Sequence, residues 1–230
     1  MHQKFRCVPE TLYLTVSVLD RYLERKDCVK RSILQLVGKP IAMYNLLSNL
    51  CSSFEITLCE TGVTALLIAA KYEEIYPPEI RQLVHVTDKA YTSKEILEME
   101  ADILSILEFK VTFASTHNFL VRYLKAAHAD RMMVWMACFI AERILLEESM
   151  LQFFPSMVAS CAVYLARKNL QRNPWSPTLL KYTDYTEQDL LPCLKIMTEI
   201  LKSKSSLTAG KTKYSNQKFG AVALTIIEGV

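Results

Sequence analysis

The sequence predicts an all-α protein, and three observations carry that prediction. Glycine is scarce, five in 230 residues, while 11 Tyr and nine Met stand among many Leu and Ala. A chain so poor in glycine favours helices packed on helices over a sheet punctuated by turns. Apolar residues recur at spacings of three and four along most of the chain, and helix-start residues and prolines cut that pattern into segments of helical length.

Pro9-Glu10-Thr11 opens the first segment with proline at an early helical position. Leu12, Val16, Leu19 and Leu23 then give an apolar stripe to about residue 25. Helical patterns follow at 30–37, 63–75, 79–86, 93–108, 115–127, 131–147, 155–170, 176–183 and 187–203. Thr92 with Glu95 makes a capping box ahead of one of them, and Thr186 with Asp189 a looser version ahead of another. Pro77-Pro78 and Asn173-Pro174 interrupt the pattern between segments. From about residue 205 the chain turns to Ser, Lys, Thr and Gly and is expected to pack loosely or trail away.

Composition excludes several function classes. A net charge of +3, with Lys and Arg interleaved among Asp and Glu, describes solvated helix faces rather than a nucleic-acid surface. Lys202, Lys204, Lys211 and Lys213 in the tail read as solvated charges. The seven cysteines (Cys7, Cys28, Cys51, Cys59, Cys138, Cys161, Cys193) form no CxxC pair and no cluster with histidine. Most lie in apolar helical stretches, as small hydrophobes of a reducing compartment, nucleus or cytosol. The opening MHQKFRCVPE lacks an apolar signal core, and no uninterrupted apolar run approaches spanning length, so neither secretion by signal peptide nor a membrane partner is expected.

His2, His85, His117 and His128 lack metal-ligand spacing and read as exposed or helix-surface residues. No GxSxG, HExxH or phosphate-loop pattern occurs, so the expectation is no catalytic residue, no metal, no cofactor and no small-molecule substrate. Glu73 and Glu74 are neighbours on a helix, about 100° apart, which is the wrong geometry for an acid/base dyad. Met132, Met133 and Met136 with Trp135 read as core filling.

The chain also resembles itself. Leu19–Glu24 is similar to Ala141–Leu146, 122 residues later, and Ala65–Lys71 to Ala162–Lys168, 97 residues later. A plain duplication keeps one offset. The gap of 25 between the two points to added chain between residues 24 and 65.

Longer stretches carry a more specific resemblance. Glu10–Leu23 (ETLYLTVSVLDRYL), Leu34–Gly38 (LQLVG), Ala69–Glu79 (AAKYEEIYPPE), Thr87–Thr92 (TDKAYT) and Met99-Glu100 resemble the first helical repeat of A/B-type mitotic cyclins. Thr178-Leu179, Tyr185–Pro192 (YTEQDLLP) and Lys213–Phe219 (KYSNQKF) are similar to the second repeat and tail, leaning to the B type. The resemblance implies two five-helix bundles: residues 1–112, supplying four of the first five helices, then 113–204, with a tail at 205–230. It further implies a non-enzymatic regulatory subunit that binds and activates a cyclin-dependent protein kinase, controls the G2/M transition, and works in nucleus and cytoplasm.

In that family the third and fifth helices of the first bundle clamp the kinase. The matching positions here are Lys71 and Glu100, with contacts from Ile68, Tyr72, Leu104, Phe109 and Val111. A lysine and a glutamate at the rim of an apolar patch can each bond to a partner helix, at roughly 1.5–3 kcal/mol when one group is charged. Leu34 and Gln35 match a remnant of the family's substrate-docking groove.

Two departures accompany the match. The sequence begins partway through the family pattern, so the opening helix of the first bundle, which forms the main wall of that groove, is expected to be missing. Residues 39–62 have no counterpart in the pattern, and removing them joins LQLVG to VTALLIAAKYEE in one helix. Codons for Gly38-Lys39 and Thr61-Gly62 can carry splice-donor and acceptor patterns, so the segment reads as an in-frame retained intron or a gene-model error. Pro40 should break the helix, 41–50 should form a short helix exposing Ile41, Leu46, Leu47 and Leu50, and the whole segment should loop out. Two other readings stay open: a cyclin-fold transcription factor that binds DNA, and an inactive truncated or mis-spliced product.

Overall fold

The computed structural model describes residues 5–25, 53–203 and 208–224, with side chains described from residue 61 in the second stretch and from 210 in the third. The expected helix at 30–37, Leu34, Gln35, the break at Pro40 and the short helix at 41–50 lie outside the described residues. The chain divides into two compact units, Met1–Ser115 and Thr116–Val230. No strand occurs among the described residues, which makes the protein all-α.

The first unit contains α1 (Pro9–Arg25), α2 (Ser53–Glu73), α3 (Ile80–Val86) and α4 (Ser93–Ile106). Helix α2 lies against α1 and α4, and α3 against α4. Alternation of small and branched residues in TALLIAAK lets α2 be buried on nearly all sides: Val63, Ala65, Leu67, Ala69 and Ala70 are inaccessible or nearly so. Leu14, Val18, Leu19 and Tyr22 of α1 meet Ala65, Ile68 and Ala69 of α2 and Ile103 of α4 in one core, and Leu83, Tyr91 and Ile96 close a second core around Val63 and Leu67. Burying each large apolar side chain contributes roughly 1.5–3 kcal/mol. The Tyr22 hydroxyl donates to Asp102 Oδ2 at 2.5 Å, pinning α1 to α4.

The start of α2 departs from expectation. The helix begins at Ser53, ten residues ahead of the expected 63, so Ser53–Gly62 of the added segment is helical and does not loop out. The reason is local: FEITLCET contains no proline and has helix-compatible apolar spacing, so the helix propagates backward through Gly62. Thr61 at its inner end is buried, and its hydroxyl lies 3.9 Å from Met99 Sδ.

The second unit contains α5 (Thr116–Ala126), α6 (Arg131–Ile144), α7 (Pro155–Asn169), α8 (Pro177–Thr183), α9 (Glu187–Lys202) and α10 (Thr208–Tyr214), with 3₁₀ turns at Glu148–Met150, Gln217–Phe219 and Val222–Leu224. Helix α7 is central, packed against α5, α6, α8 and α9. Its ASCAVYLA run is buried in the same manner as TALLIAAK of α2, and the two similar sequences thus occupy equivalent places in their own units. The short helices α3 and α8, seven residues each, follow the central helices, and capping boxes at Thr92/Glu95 and Thr186/Asp189 open α4 and α9. Both boxes bond reciprocally, so the looser sequence version caps as fully as the other.

Four further expectations need correction. The tail packs. Tyr214 and Val222 are buried against α6, and Tyr214, Phe139 and Phe219 form an aromatic cluster with centroids 5.2–5.5 Å apart. Lys213 is no solvated charge: its Nζ lies 2.7 Å from Glu142 Oε1, with both side chains largely covered. His117 is buried, because it falls on the inward face of α5 with Leu120 and Leu124. Met133 and Met136 fill the core as expected, whereas Met132 is half-exposed and covers the tail at Gly220.

Gly220 has φ +63°, and a Cβ there would meet Met132 Sδ at 2.6 Å and Trp135 Cε3 at 3.0 Å. Gly220→Ala should therefore destabilise the second unit by about 1–2 kcal/mol from the left-handed backbone alone. Urea unfolding followed by tryptophan fluorescence measures it, and an unchanged midpoint would contradict this packing.

Candidate functional site

The C-terminal end of α2 and the outer face of α4 bring the predicted positions together. Lys71 occupies the last turn of α2, where a cation is favoured by the helix dipole. Glu100 and Leu104, four residues apart on α4, share one face. Lys71 Nζ lies 2.7 Å from both carboxylate oxygens of Glu100. The two charges thus form a bidentate pair in the free chain. The pair is asymmetric: the Glu100 side chain is 12% exposed and the Lys71 side chain 45%. Glu100 is the more deeply set partner and anchors the lysine.

Tyr72 stands beside them, half-exposed, its hydroxyl 2.8 Å from Thr112 Oγ1. Phe109 is 74% exposed, which is far outside the usual place of a phenylalanine. It is held there by backbone geometry: Glu108 and Phe109 both have positive φ, 51° and 56°, and the Phe109 amide donates to the Leu104 carbonyl at 2.9 Å. Two successive left-handed residues cost about 1–3 kcal/mol each, a strain tolerated only where the surroundings over-determine it. Those surroundings are two arginines of α1. Arg21 donates to the Lys110 carbonyl at 2.7 Å and Arg25 to the Ile106 carbonyl at 3.2 Å, satisfying carbonyls at and just beyond the end of α4. Lys110 also pairs with Glu108, which holds that carboxyl below its ordinary value.

Ile68 and Val111 stand apart from the other five predicted positions. At 4% and 8% exposure they belong to the core that supports the patch and present almost no surface of their own. Leu104 is partly buried against the same core.

Sequence reasoning missed Ile75 and Tyr76, which project almost fully into solvent just beyond α2, at 87% and 91% exposure. The available signal was their place directly before Pro77-Pro78, where the helix has ended and nothing packs over them. It also missed Arg21 and Arg25 as supports of the α4 turn.

Glu74 has a specific role. Its Oε1 accepts from the Val8 amide at 2.7 Å and the Thr11 hydroxyl at 2.6 Å, tying the end of α2 to the start of α1. The adjacent Glu73 carboxyl is pushed up, first by burial and then by the charges of Glu10 and Glu74. Elsewhere, burial pushes the Cys161 thiol up, as suits an inert core cysteine. His85 and His128 are exposed, and His2 lies outside the described residues. Among the described residues no group of His, Cys, Asp or Glu is arranged to hold a metal ion, and no helix is long and apolar enough to cross a membrane.

The chain is thus a pair of helical domains, each built on a buried central helix, with charged and aromatic residues gathered at the end of the first domain's central helix. The comparisons with known proteins make the assignment: residues 1–112 match the family model for the cyclin N-terminal domain and residues 114–227 that for the cyclin C-terminal domain, and the chain belongs to the cyclin family. Its curated relatives include Cyclin-B1-3 of Arabidopsis thaliana, 41% identical over 227 residues, which cover 97% of this chain and 49% of that protein. The G2/mitotic-specific cyclin-1 of Antirrhinum majus is 38% identical over 227 residues, covering 97% of this chain and 43% of that protein. The chain thus spans about half the length of the curated relatives it matches. Among solved structures, a viral cyclin from herpesvirus saimiri has the same fold, with a TM-score of 0.68 at 17% identity over 89% of this chain and 81% of the viral one.

Proposed function

We propose that this chain binds a cyclin-dependent protein kinase through the Lys71–Glu100 patch and activates it by stabilising its working conformation. The observation that carries this reading is the Lys71–Glu100 ion pair with its half-exposed lysine, next in the helix to exposed Tyr72, together with Phe109 held exposed on the strained turn after α4. Exposed aromatic side chains and a preorganised charge are the residue types of a binding hot spot. The ammonium can exchange one of its bonds to Glu100 for a carbonyl at the end of a partner helix, and Glu100 can accept from a partner's donor in return.

The mechanism is a shift of population. A surface that fits the active arrangement of the kinase better than the inactive one raises the active fraction by its difference in affinity. Phosphoryl transfer belongs to the kinase. The proposal extends to action at G2/M, which accords with a relative named G2/mitotic-specific, and to work in nucleus and cytoplasm.

The test uses the full chain and a form lacking residues 39–62 in pull-downs with cyclin-dependent kinases. Exchanging the charges, Lys71→Glu with Glu100→Lys, preserves an ion pair and the fold but inverts what a partner meets. Kinase capture should fall by about a hundredfold or more, since a like charge now faces each partner group. The alanine pair Lys71→Ala with Glu100→Ala should weaken it about tenfold or more. Undiminished binding by both forms would overturn the site. Failure of both parent forms to bind any such kinase would favour the inactive product, and tight low-salt DNA binding the transcription-factor reading.

A further inference from the structure

The second unit carries a groove that the kinase patch does not use. It lies between α5 and α8, has a volume of about 440 Å³, and is lined by Asn118, Val121, Arg122, Lys125, Ala126, His128, Thr178 and Tyr182. Its basic side chains come from one helix and the turn after it: Arg122 and Lys125 are one turn apart on α5, and His128 follows in the turn. No carboxylate lines the groove. The carboxylate of the adjoining turn, Asp130, is already engaged, 2.7 Å from an Arg172 nitrogen and accepting from the Met133 amide. Arg122 and Lys125 form no salt bridge among the described residues. The Arg122 guanidinium sits 5.9 Å from the centre of the Tyr182 ring, a placement that orders its plane and leaves its N–H edge available.

We infer that this groove docks an acidic segment of a partner protein, a carboxylate-bearing side chain against Arg122 and Lys125 beside an apolar one against Val121 and Tyr182. Charge complementarity selects the sign of the occupant. The apolar walls select a peptide: Val121 and Tyr182 are both more than a third exposed in a place where a nucleic-acid backbone would need further cations. A net charge of +3, spread over interleaved signs, offers no such extended basic face. The volume suits one or two side chains and excludes a folded domain.

The test measures fluorescence polarisation of the full chain with a labelled acetyl peptide carrying one central leucine flanked by glutamates. Arg122→Ser with Lys125→Ser should weaken binding at least about tenfold, whereas the charge-matched pair Lys195→Ser with Lys202→Ser, on α9, should leave it within about twofold. Arg122→Lys, which keeps the charge and loses the fork, should fall between. Amide shifts in labelled chain should concentrate at 118–128 and 178–182. Equal loss from both double variants would reduce the effect to net charge and overturn the proposal. So would preference for a single-stranded oligonucleotide of equal charge over the peptide, or binding unchanged in the groove variant. Kinase capture is read in parallel with the groove variant and should be unaffected, which separates this proposal from the preceding one.

Discussion

Replacing Glu142 by alanine should lower the stability of the second unit by about 3 kcal/mol and release the segment from Thr208 onward. Glu142 sits on α6 with its side chain 11% exposed, and its carboxylate holds two groups of the tail. Lys213 Nζ lies 2.7 and 2.9 Å from its two oxygens, and the Tyr214 hydroxyl donates to Oε1 at 2.7 Å. Lys213 also lies 4.7 Å from the centre of the Tyr214 ring and 5.8 Å from that of Phe219. Truncating the acid takes the carboxylate away from a covered ammonium and a covered hydroxyl, and removing one partner of a buried pair is the strongly destabilising direction. Glu142→Gln keeps an acceptor for Tyr214 and should lose about half as much. Trp135 packs edge-on to Phe219 at 6.4 Å, so its fluorescence should report tail release before global unfolding. A single transition with an unshifted midpoint in the alanine variant would refute the arrangement.

Asp20→Asn should stabilise the chain at pH 7.5 by about 2–3 kcal/mol and leave it unchanged at pH 4. Burial alone pushes the Asp20 carboxyl from 3.8 up to about 6. The folded state therefore holds this proton more tightly than the unfolded state does. The stabilisation is complete below about pH 4 and is lost as pH rises to about 6, above which the deficit is constant, at about 1.4 kcal/mol for each unit of displacement. Asparagine does not titrate, so the difference between variant and parent should open across that window. Denaturant titrations at pH 4, 5, 6 and 7.5 measure it. A difference that does not change with pH would show Asp20 to be solvated.

The fold was legible in the sequence to the extent that local chemistry decided it. The apolar stripe from Leu12 to Leu23, the prolines at Pro77-Pro78 and Asn173-Pro174, and the capping residues at Thr92 and Thr186 act within one or two turns, and the helices begin and end within a few residues of where they point. The misreadings have a common cause in long-range contact. Lys213 in a polar tail is solvated on any local reading; only Glu142, 71 residues away, makes it structural. His117 looks like any helix-surface histidine until α5 is turned against α7.

The patch was legible in part. The family resemblance marked Lys71, Tyr72, Glu100 and Phe109, but not that Lys71 and Glu100 bond to each other or that Ile68 and Val111 face inward. Ile75 and Tyr76 escaped because an apolar residue in a sequence is assigned to a core by default. Helix 53–73 starts ahead of the apolar pattern at Val63 because the spacing of the added residues itself admits a helix.

The early start of α2 has an evolutionary corollary. Two decapeptides of this chain, Val29–Gly38 and Ser53–Gly62, each end on a glycine, and the second leads directly into Val63. A transcript without codons 39–62, 24 in all, would put Val29–Gly38 in place of Ser53–Gly62 directly ahead of Val63. Alternative messages would then encode proteins that differ in the ten residues ahead of Val63 and share the Lys71–Glu100 pair, so gain or loss of the segment need not derange it.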